Sequence, residues 1–254
     1  MGYNKIIVSE KGLTGKITLN RPDKRNSLDD EMIREIKEAI SSYADNDKVK
    51  SILITGAGGN FCSGLFLEYL NKIQDFDVLQ NKQDSENYKE LLLAIYSCPK
   101  PTIAMVDGYA LAGGCGIASA CDLIVAADKA QFGYTEVKIG FIPAVVMVFL
   151  LKRVSETHAK DLLLTSKFIT GTEAYQSGLV NYVVDQYMLE AFTDKLCDNL
   201  NSLPASSVKL TKEMFRHVTS MSFEAALQYA VDMNTLTRMT EDCKNGIKKF
   251  LTKK

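Results

Sequence analysis

Apolar and polar residues alternate through YNKIIVSE and again through KITLNR, with KGLTG between them, and this period of two predicts a β-hairpin at the head of the chain. Pro22 ends its second strand. The period then lengthens: Leu28, Met32, Ile33, Ile36, Ile40 and Tyr43 recur at helical spacing, and Ser27 followed by Asp30 resembles a capping-box start. VKSILIT, residues 49–55, predicts a strand. Residues 67–84 are mixed and acidic and read as a mobile loop with helical turns, before a helix at 86–96. Beyond Pro99 and Pro101, TIAMV reads as a strand, GYALAGGCGIASA as a turn into a helix of small residues, and DLIVAA as a strand. Such alternation predicts an α/β fold with largely parallel pairing. From about Glu156 the segments read as helical, ending in amphipathic stretches at 206–217, 222–238 and 241–251, which form a helical appendage.

Composition narrows the class. The chain has 254 residues, 46% of them hydrophobic, enough for a substantial core. Thirty basic residues against 31 acidic ones leave no global field for nucleic acid or an anionic membrane, so neither is an expected partner. MGYNKIIVSEKG has no long apolar run and no cleavage-site pattern, and the expected location is cytoplasmic. Cys62, Cys98, Cys115, Cys121, Cys197 and Cys243 form no CxxC pair and are expected as reduced, mostly buried thiols. The only histidines, His158 and His217, lie far in sequence from the cysteines, so no metal site is expected.

The stretch SILITGAGGNFCSGLFLEYL offers two readings of its glycines. A dinucleotide site needs G-x-G-x-x-G opening a helix, but from Gly56 the third position holds Phe61 and NFCSG interrupts any helix. What the glycines do permit is close backbone approach. Gly64 before Leu65, and Gly113 with Gly114 at the head of CGIASA, each free a main-chain N–H that no side chain covers. Two such amides, one at a helix N-terminus, would form an oxyanion hole. Spacing alone favours the plainer alternative, an ordinary turn and a tight helix–sheet contact.

Three segments read together change that balance. TLNRPDKRNSL, FCSGLFLEYL and ALAGGCGIASACDLIVAADKAQFGYTEVKIGFIPA resemble, in order and spacing, the enoyl-CoA hydratase/isomerase (crotonase) family, and TEAYQSGLVNYVV and TEDCKNGIKKFL extend the likeness to the end. The resemblance implies an α/β spiral of β-β-α units at 1–198 that binds acyl-CoA, and a C-terminal helical region at 199–254 that assembles a homotrimer or a hexamer of paired trimers. It implies no separate cofactor, since coenzyme A is part of the substrate. It places the oxyanion amides at Leu65 and Gly113 and the catalytic carboxyl at Glu136 in FGYTEVKIG. Family hydratases carry a second, water-activating glutamate where this chain has Gly116. One carboxyl leaves two outcomes open, double-bond isomerisation or a syn hydration or dehydration with both protons passing through Glu136.

Further carry-overs concern substrate. GYTEVKIGFIPAVVMVFLLKRV lacks the GAGG run of straight-chain hydratases and looks more like relatives acting on methylglutaconyl-type, branched or carboxylated acyl-CoA. Hydratase or dehydratase is therefore the first reading, isomerase the second, and a non-catalytic acyl-CoA- or RNA-binding trimer the third. Phe66 stands where many relatives have an acid and is a candidate for the acyl pocket or for plain packing; Ile142, Val145 and Val146 are further pocket candidates. Lys24 and Arg25 are expected near the pantetheine or phosphates of CoA. Phe250 and Lys253 match a segment that in relatives reaches the adenine of an adjoining subunit.

Overall fold

The structure, a computed structural model, describes residues 2–252. Strands β1 (Ile6–Lys11) and β2 (Thr14–Leu19) form the expected hairpin, in register from Ile6↔Leu19 to Lys11↔Thr14. Gly12, at φ +60°, opens its two-residue turn, a position that a left-handed residue fills without steric cost. From β2 the main sheet is parallel: β3 (Ser51–Gly56), β4 (Thr102–Val106), β6 (Leu123–Ala127) and β9 (Tyr182–Val184) follow in that order across it. All of β4, and β3 up to Thr55, is buried, as expected of parallel strands covered on both faces.

A second, smaller sheet runs alongside, built from β5 (Tyr109–Leu111), β7 (Gln131–Gly133) and β8 (Phe168–Thr170), with Cys62 bridging to Ala110. Each pass of the chain thus visits the main sheet, then the small sheet, then a helix. β4 leads to β5 and α4 (Gly113–Ala120); β6 leads to β7 and then to a short 3₁₀ turn (Glu136–Ile139) and α5 (Ala144–Leu150). This repetition is the β-β-α spiral that the resemblance implies. Helix α4 has only small residues and one isoleucine, and from Gly114 onward every residue is buried. Its C-terminal end is held by Arg153, whose guanidinium donates to the Ser119 and Cys121 carbonyls, a cation where the helix dipole is negative.

Several expectations need correction. Helix α1 (Asp30–Asp45) is capped by Asp29, whose carboxylate accepts from the Met32 amide, and not by Ser27, which is buried with an unpartnered hydroxyl. Residues 67–84 form no long loop. They make α2 (Leu67–Ile73) and the first turns of α3 (Val78–Ser97), which begins eight residues before the expected helix at a capping box between Asp77 and Gln80. The Asp77 box was readable, but the exposed Val78 and Leu79 break the apolar periodicity that marks a helix. Beyond Glu156 the chain is not wholly helical: β8 and β9 intervene, each only three residues long, too short for alternation to register.

The remaining elements are α6 (Glu156–Thr165), α7 (Gly171–Gln176), α8 (Leu189–Asn201), α9 (Ala205–Val218), α10 (Phe223–Met239) and α11 (Glu241–Thr252). Helix α8 runs across residue 198 and is tied to the core where the Asn201 amide donates to Thr14 Oγ1 at 2.9 Å. All six cysteines are free thiols, and five are buried. Among the described residues no helix is long and apolar enough to cross a membrane.

Candidate active site

The glycine-rich loop after β3 is shaped by contact with its neighbours. A side-chain carbon built on Gly56 falls 2.0 Å from the Asn60 carbonyl oxygen, so only glycine lets the loop double back. Buried Asn26 holds the same loop, donating to the Ala57 and Asn60 carbonyls at 2.9 and 2.7 Å. Beyond it, Leu65 pairs in parallel with Leu28: the Leu28 amide donates to Gly64 O at 2.7 Å and the Phe66 amide to Leu28 O at 3.0 Å. Because successive peptide groups of an extended chain face opposite ways, the Leu65 N–H points away from Leu28.

The peptide that carries it lies against the start of α4. Gly64, at φ +86°, approaches so closely that a carbon built on it lies 3.0 Å from the Ala112 Cβ and the Leu111 carbonyl oxygen and 3.4 Å from the Gly113 nitrogen. Gly114 packs as tightly on the other side, 2.2 Å from Cys62 O by the same construction. Ala112 enters the helix at φ 48°, ψ −116°, a conformation costly for alanine and of the kind found where a site over-determines the backbone. Among the described residues neither the Leu65 nor the Gly113 amide has an acceptor within the chain. Two unspent donors from distant segments therefore lie close together beside one helix N-terminus, where the dipole favours negative charge.

Glu136 reaches the same place through the small sheet. β5 and β7 pair in parallel with Leu111 opposite Gly133, and the Ala112 amide donates to Gly133 O at 2.8 Å. Gly113 and Glu136 follow shortly after this pair, and the Glu136 charge acts on Tyr88 and Cys115. Gly140, at φ +75°, closes the 3₁₀ turn below the carboxyl. Glu136 is half-buried, and its Oε2 is buried with no hydrogen-bond partner. Burial pushes its pKa above the usual carboxylate value, offset in part by a hydrogen bond from its own main chain.

Beside Gly116, where the resemblance implies a glutamate, lies a residue that the sequence did not single out. Tyr88, on α3, donates its hydroxyl to Gly113 O at 2.7 Å. A carbon built on Gly116 would sit 2.1 Å from Tyr88 Oη and 2.7 Å from Val146 Cγ1. Burial first, then the nearby Cys62 and Glu136, raise the Tyr88 pKa well above 10, so the phenol stays protonated. Tyr88 is 25 residues from Gly113, and no local pattern announces the contact.

The other candidates distribute as follows. Lys24 and Arg25 are exposed on the loop that flanks Ser63, whose amide donates to Arg25 O at 3.0 Å. Phe66 is half-buried with the Arg21 guanidinium 4.5 Å and the Lys24 ammonium 5.4 Å from its ring centre, an aromatic held between cations. Val146 packs over Gly116, Val145 lies against the core, and Ile142 is exposed. Phe250 is exposed on α11, and Lys253 lies outside the described residues. A separate groove of about 1040 Å³ lies between α9 and the core, lined by Tyr96, Phe149, Val208 and Phe215 among others, and contains none of the site residues.

Comparison with known proteins bears on the fold and the family. The model of a family described as enoyl-CoA hydratase/isomerase matches residues 10–254. A putative enoyl-CoA hydratase of Thermus thermophilus is 36% identical over 245 residues, covering 96% of this chain and 97% of its own. A crotonyl-CoA hydratase of Syntrophomonas wolfei is 31% identical over 256 residues, covering 100% and 97%. The crystal structure of a putative enoyl-CoA hydratase/isomerase (crotonase) from Legionella pneumophila superposes with a TM-score of 0.93 at 30% identity, covering 100% and 98%. The chain belongs to the enoyl-CoA hydratase/isomerase family, a family of enzymes.

Proposed function

We propose that the protein is an enoyl-CoA hydratase, reversible as a dehydratase, that works through a thioester enolate. The observation that supports this reading is that the Leu65 and Gly113 amides, brought near each other by the close packing of Gly64, have no acceptor in the chain, while the half-buried Glu136 has an Oε2 with no partner. The amides donate to the thioester oxygen and stabilise the charge that develops there, each contributing about 10²- to 10³-fold. Water adds its oxygen to the β-carbon, the π electrons move onto the thioester oxygen, and the Glu136 carboxylate takes the water's proton. The enolate then collapses as Glu136 returns that proton to the α-carbon. With a single carboxyl both transfers occur on one face, which makes the addition syn.

The acyl group we assign is branched or carboxylated, of the methylglutaconyl type, on the likeness of the segment from Gly133 to Val154. Lys24 and Arg25, exposed beside the oxyanion loop, are the proposed contacts for CoA, and Phe66, packed beneath Lys24, lies on the same side. A homotrimer or a pair of trimers is the proposed assembly, supported by the exposed Leu227, Val231 and Leu236 on α10. A second reading is favoured by Gly116: with no water-activating carboxyl, Glu136 would move a proton from the α- to the γ-carbon of a β,γ-enoyl-CoA.

Glu136→Gln tests the shared base. Turnover is expected to fall about 10³-fold, within the usual contribution of a positioned acid or base, while thioester binding persists. Undiminished turnover overturns the assignment. Product analysis from α,β- and β,γ-enoyl-CoA, resolving hydroxyacyl from conjugated enoyl species, separates hydration from isomerisation.

A further inference from the structure

We propose that Tyr88 takes over the water-holding half of the role a second glutamate would play, leaving all proton transfer to Glu136. The inference rests on the hydratase reading above and concerns how the reacting oxygen is steered. Gly116 is not an empty position. It is buried, and the space its side chain would enter is filled by Tyr88 Oη from α3 and closed by Val146 from α5. The same hydroxyl lies beside the oxyanion hole: a carbon built on Gly113 would be 3.3 Å from it. Glu136 is near enough for its charge to act on the phenol, which itself lies beside Gly113.

The chemistry of the phenol defines what it does there. Its proton is committed to Gly113 O at 2.7 Å, which leaves the oxygen's lone pairs to accept from a water. With its pKa raised well above 10 it is no base at neutral pH. A water held by Tyr88 donates one hydrogen to the phenol oxygen and the other to Glu136. When the water oxygen bonds to the β-carbon, the second hydrogen passes to the carboxylate and the first stays on the product hydroxyl. Glu136 then gives its proton to the α-carbon, and Tyr88 ends unchanged. In dehydration the same contact accepts from the departing hydroxyl, which Glu136 protonates.

This division of labour separates two partial reactions. Exchange of the α-hydrogen of a saturated acyl-CoA with deuterated solvent needs Glu136 and the amides but no attacking water. Hydration needs all of them. Tyr88→Phe keeps the ring and removes only the contact to water and to Gly113 O. The test measures kcat for hydration of a short branched enoyl-CoA and α-deuterium exchange of butyryl-CoA in the same preparations of wild type, Tyr88→Phe and Glu136→Gln. For Tyr88→Phe the ratio of hydration to exchange is expected to fall at least about tenfold, the effect of losing one well-placed hydrogen bond. A ratio equal to that of the wild type overturns the proposal, whether both rates are kept or both fall together, because parallel loss means the phenol only braces the Gly113 peptide. Wild-type protein that exchanges but hydrates no enoyl-CoA overturns the parent reading instead, and Glu136→Gln that retains exchange removes the shared base.

Discussion

Positions 136 and 116 are the two places where the resemblance to hydratases implies carboxyls, and the fold treats them in opposite ways. At 136 a glutamate is carried on a short 3₁₀ turn, half-buried, with one oxygen unpartnered and its pKa raised by burial. At 116 the chain is buried and has no room for even a methyl group, because a hydroxyl from a different helix occupies the space. The difference teaches that the space at 116 is not vacant: a phenol fills it, and on the reading proposed above that phenol holds water while Glu136 alone carries protons.

The comparison breaks most completely if the frame that both positions share is spread apart. Gly114→Ala does this, since its new carbon would lie 2.2 Å from the Cys62 carbonyl, a backbone atom held in place by the Leu111 amide at 2.9 Å. Moving α4 away from the loop separates the Leu65 and Gly113 amides. Turnover is expected to fall about 10²- to 10³-fold, as for loss of an oxyanion donor. The folded state is expected to lose about 1–3 kcal/mol through overpacking. Steady-state kinetics with a denaturant titration of the same sample checks both, and wild-type kcat would show that the two amides need not converge here.

A smaller effect sharpens the contrast at 116 itself. Gly116→Ala alone forces Tyr88 Oη and Val146 aside and is expected to cost about 1–3 kcal/mol. In a Tyr88→Phe background the nearest ring atom is the former Cζ, at 3.3 Å, so most of that cost should vanish, leaving the Val146 contact at 2.7 Å. A double-mutant cycle by thermal or chemical unfolding is expected to give a coupling of about 0.5–3 kcal/mol between the two positions. Additive effects would mean that the phenol yields freely and does not define the space.

What was legible in the sequence follows the range of the interactions involved. The hairpin, the parallel strands and α1 are written in local periodicity, and burial of one face makes that periodicity obligatory. Helix α3 was half-legible: its buried Leu91, Leu92 and Ile95 mark the later turns, while its first turns rest on a capping box and carry exposed apolar residues. β8 and β9 are defined by their partners, β7 and β6, more than by their own three residues. The oxyanion glycines were legible as positions needing close approach, but only resemblance chose between a turn and a site. Tyr88 was illegible because its meaning lies in a hydrogen bond across two helices, from a helix position whose sequence asks for nothing more than packing.

The smallest expected effect concerns the energetic cost of keeping Glu136 ready. Burial raises its folded-state pKa above the ordinary 4.5, so the folded protein binds this proton more tightly than the unfolded chain does. Below about 4.5 the carboxyl is protonated in both states and its ionisation costs nothing. As pH rises through the window between that value and the raised folded pKa, the folded state alone must keep a charge out of water, and stability is lost; above the window the whole cost is present. Glu136→Gln removes the charge and should remove the cost, so its advantage over wild type grows with pH and disappears in acid. The gain is therefore expected to appear as a Tm above that of wild type near pH 7 and to vanish at pH 4. Thermal unfolding of the two proteins from pH 4 to pH 8 reads this directly, and the same window should bound the acid limb of turnover, because the base is lost as pH falls through the raised pKa. A Glu136→Gln gain of equal size at every pH would assign the effect to packing and leave position 136 no more strained than 116.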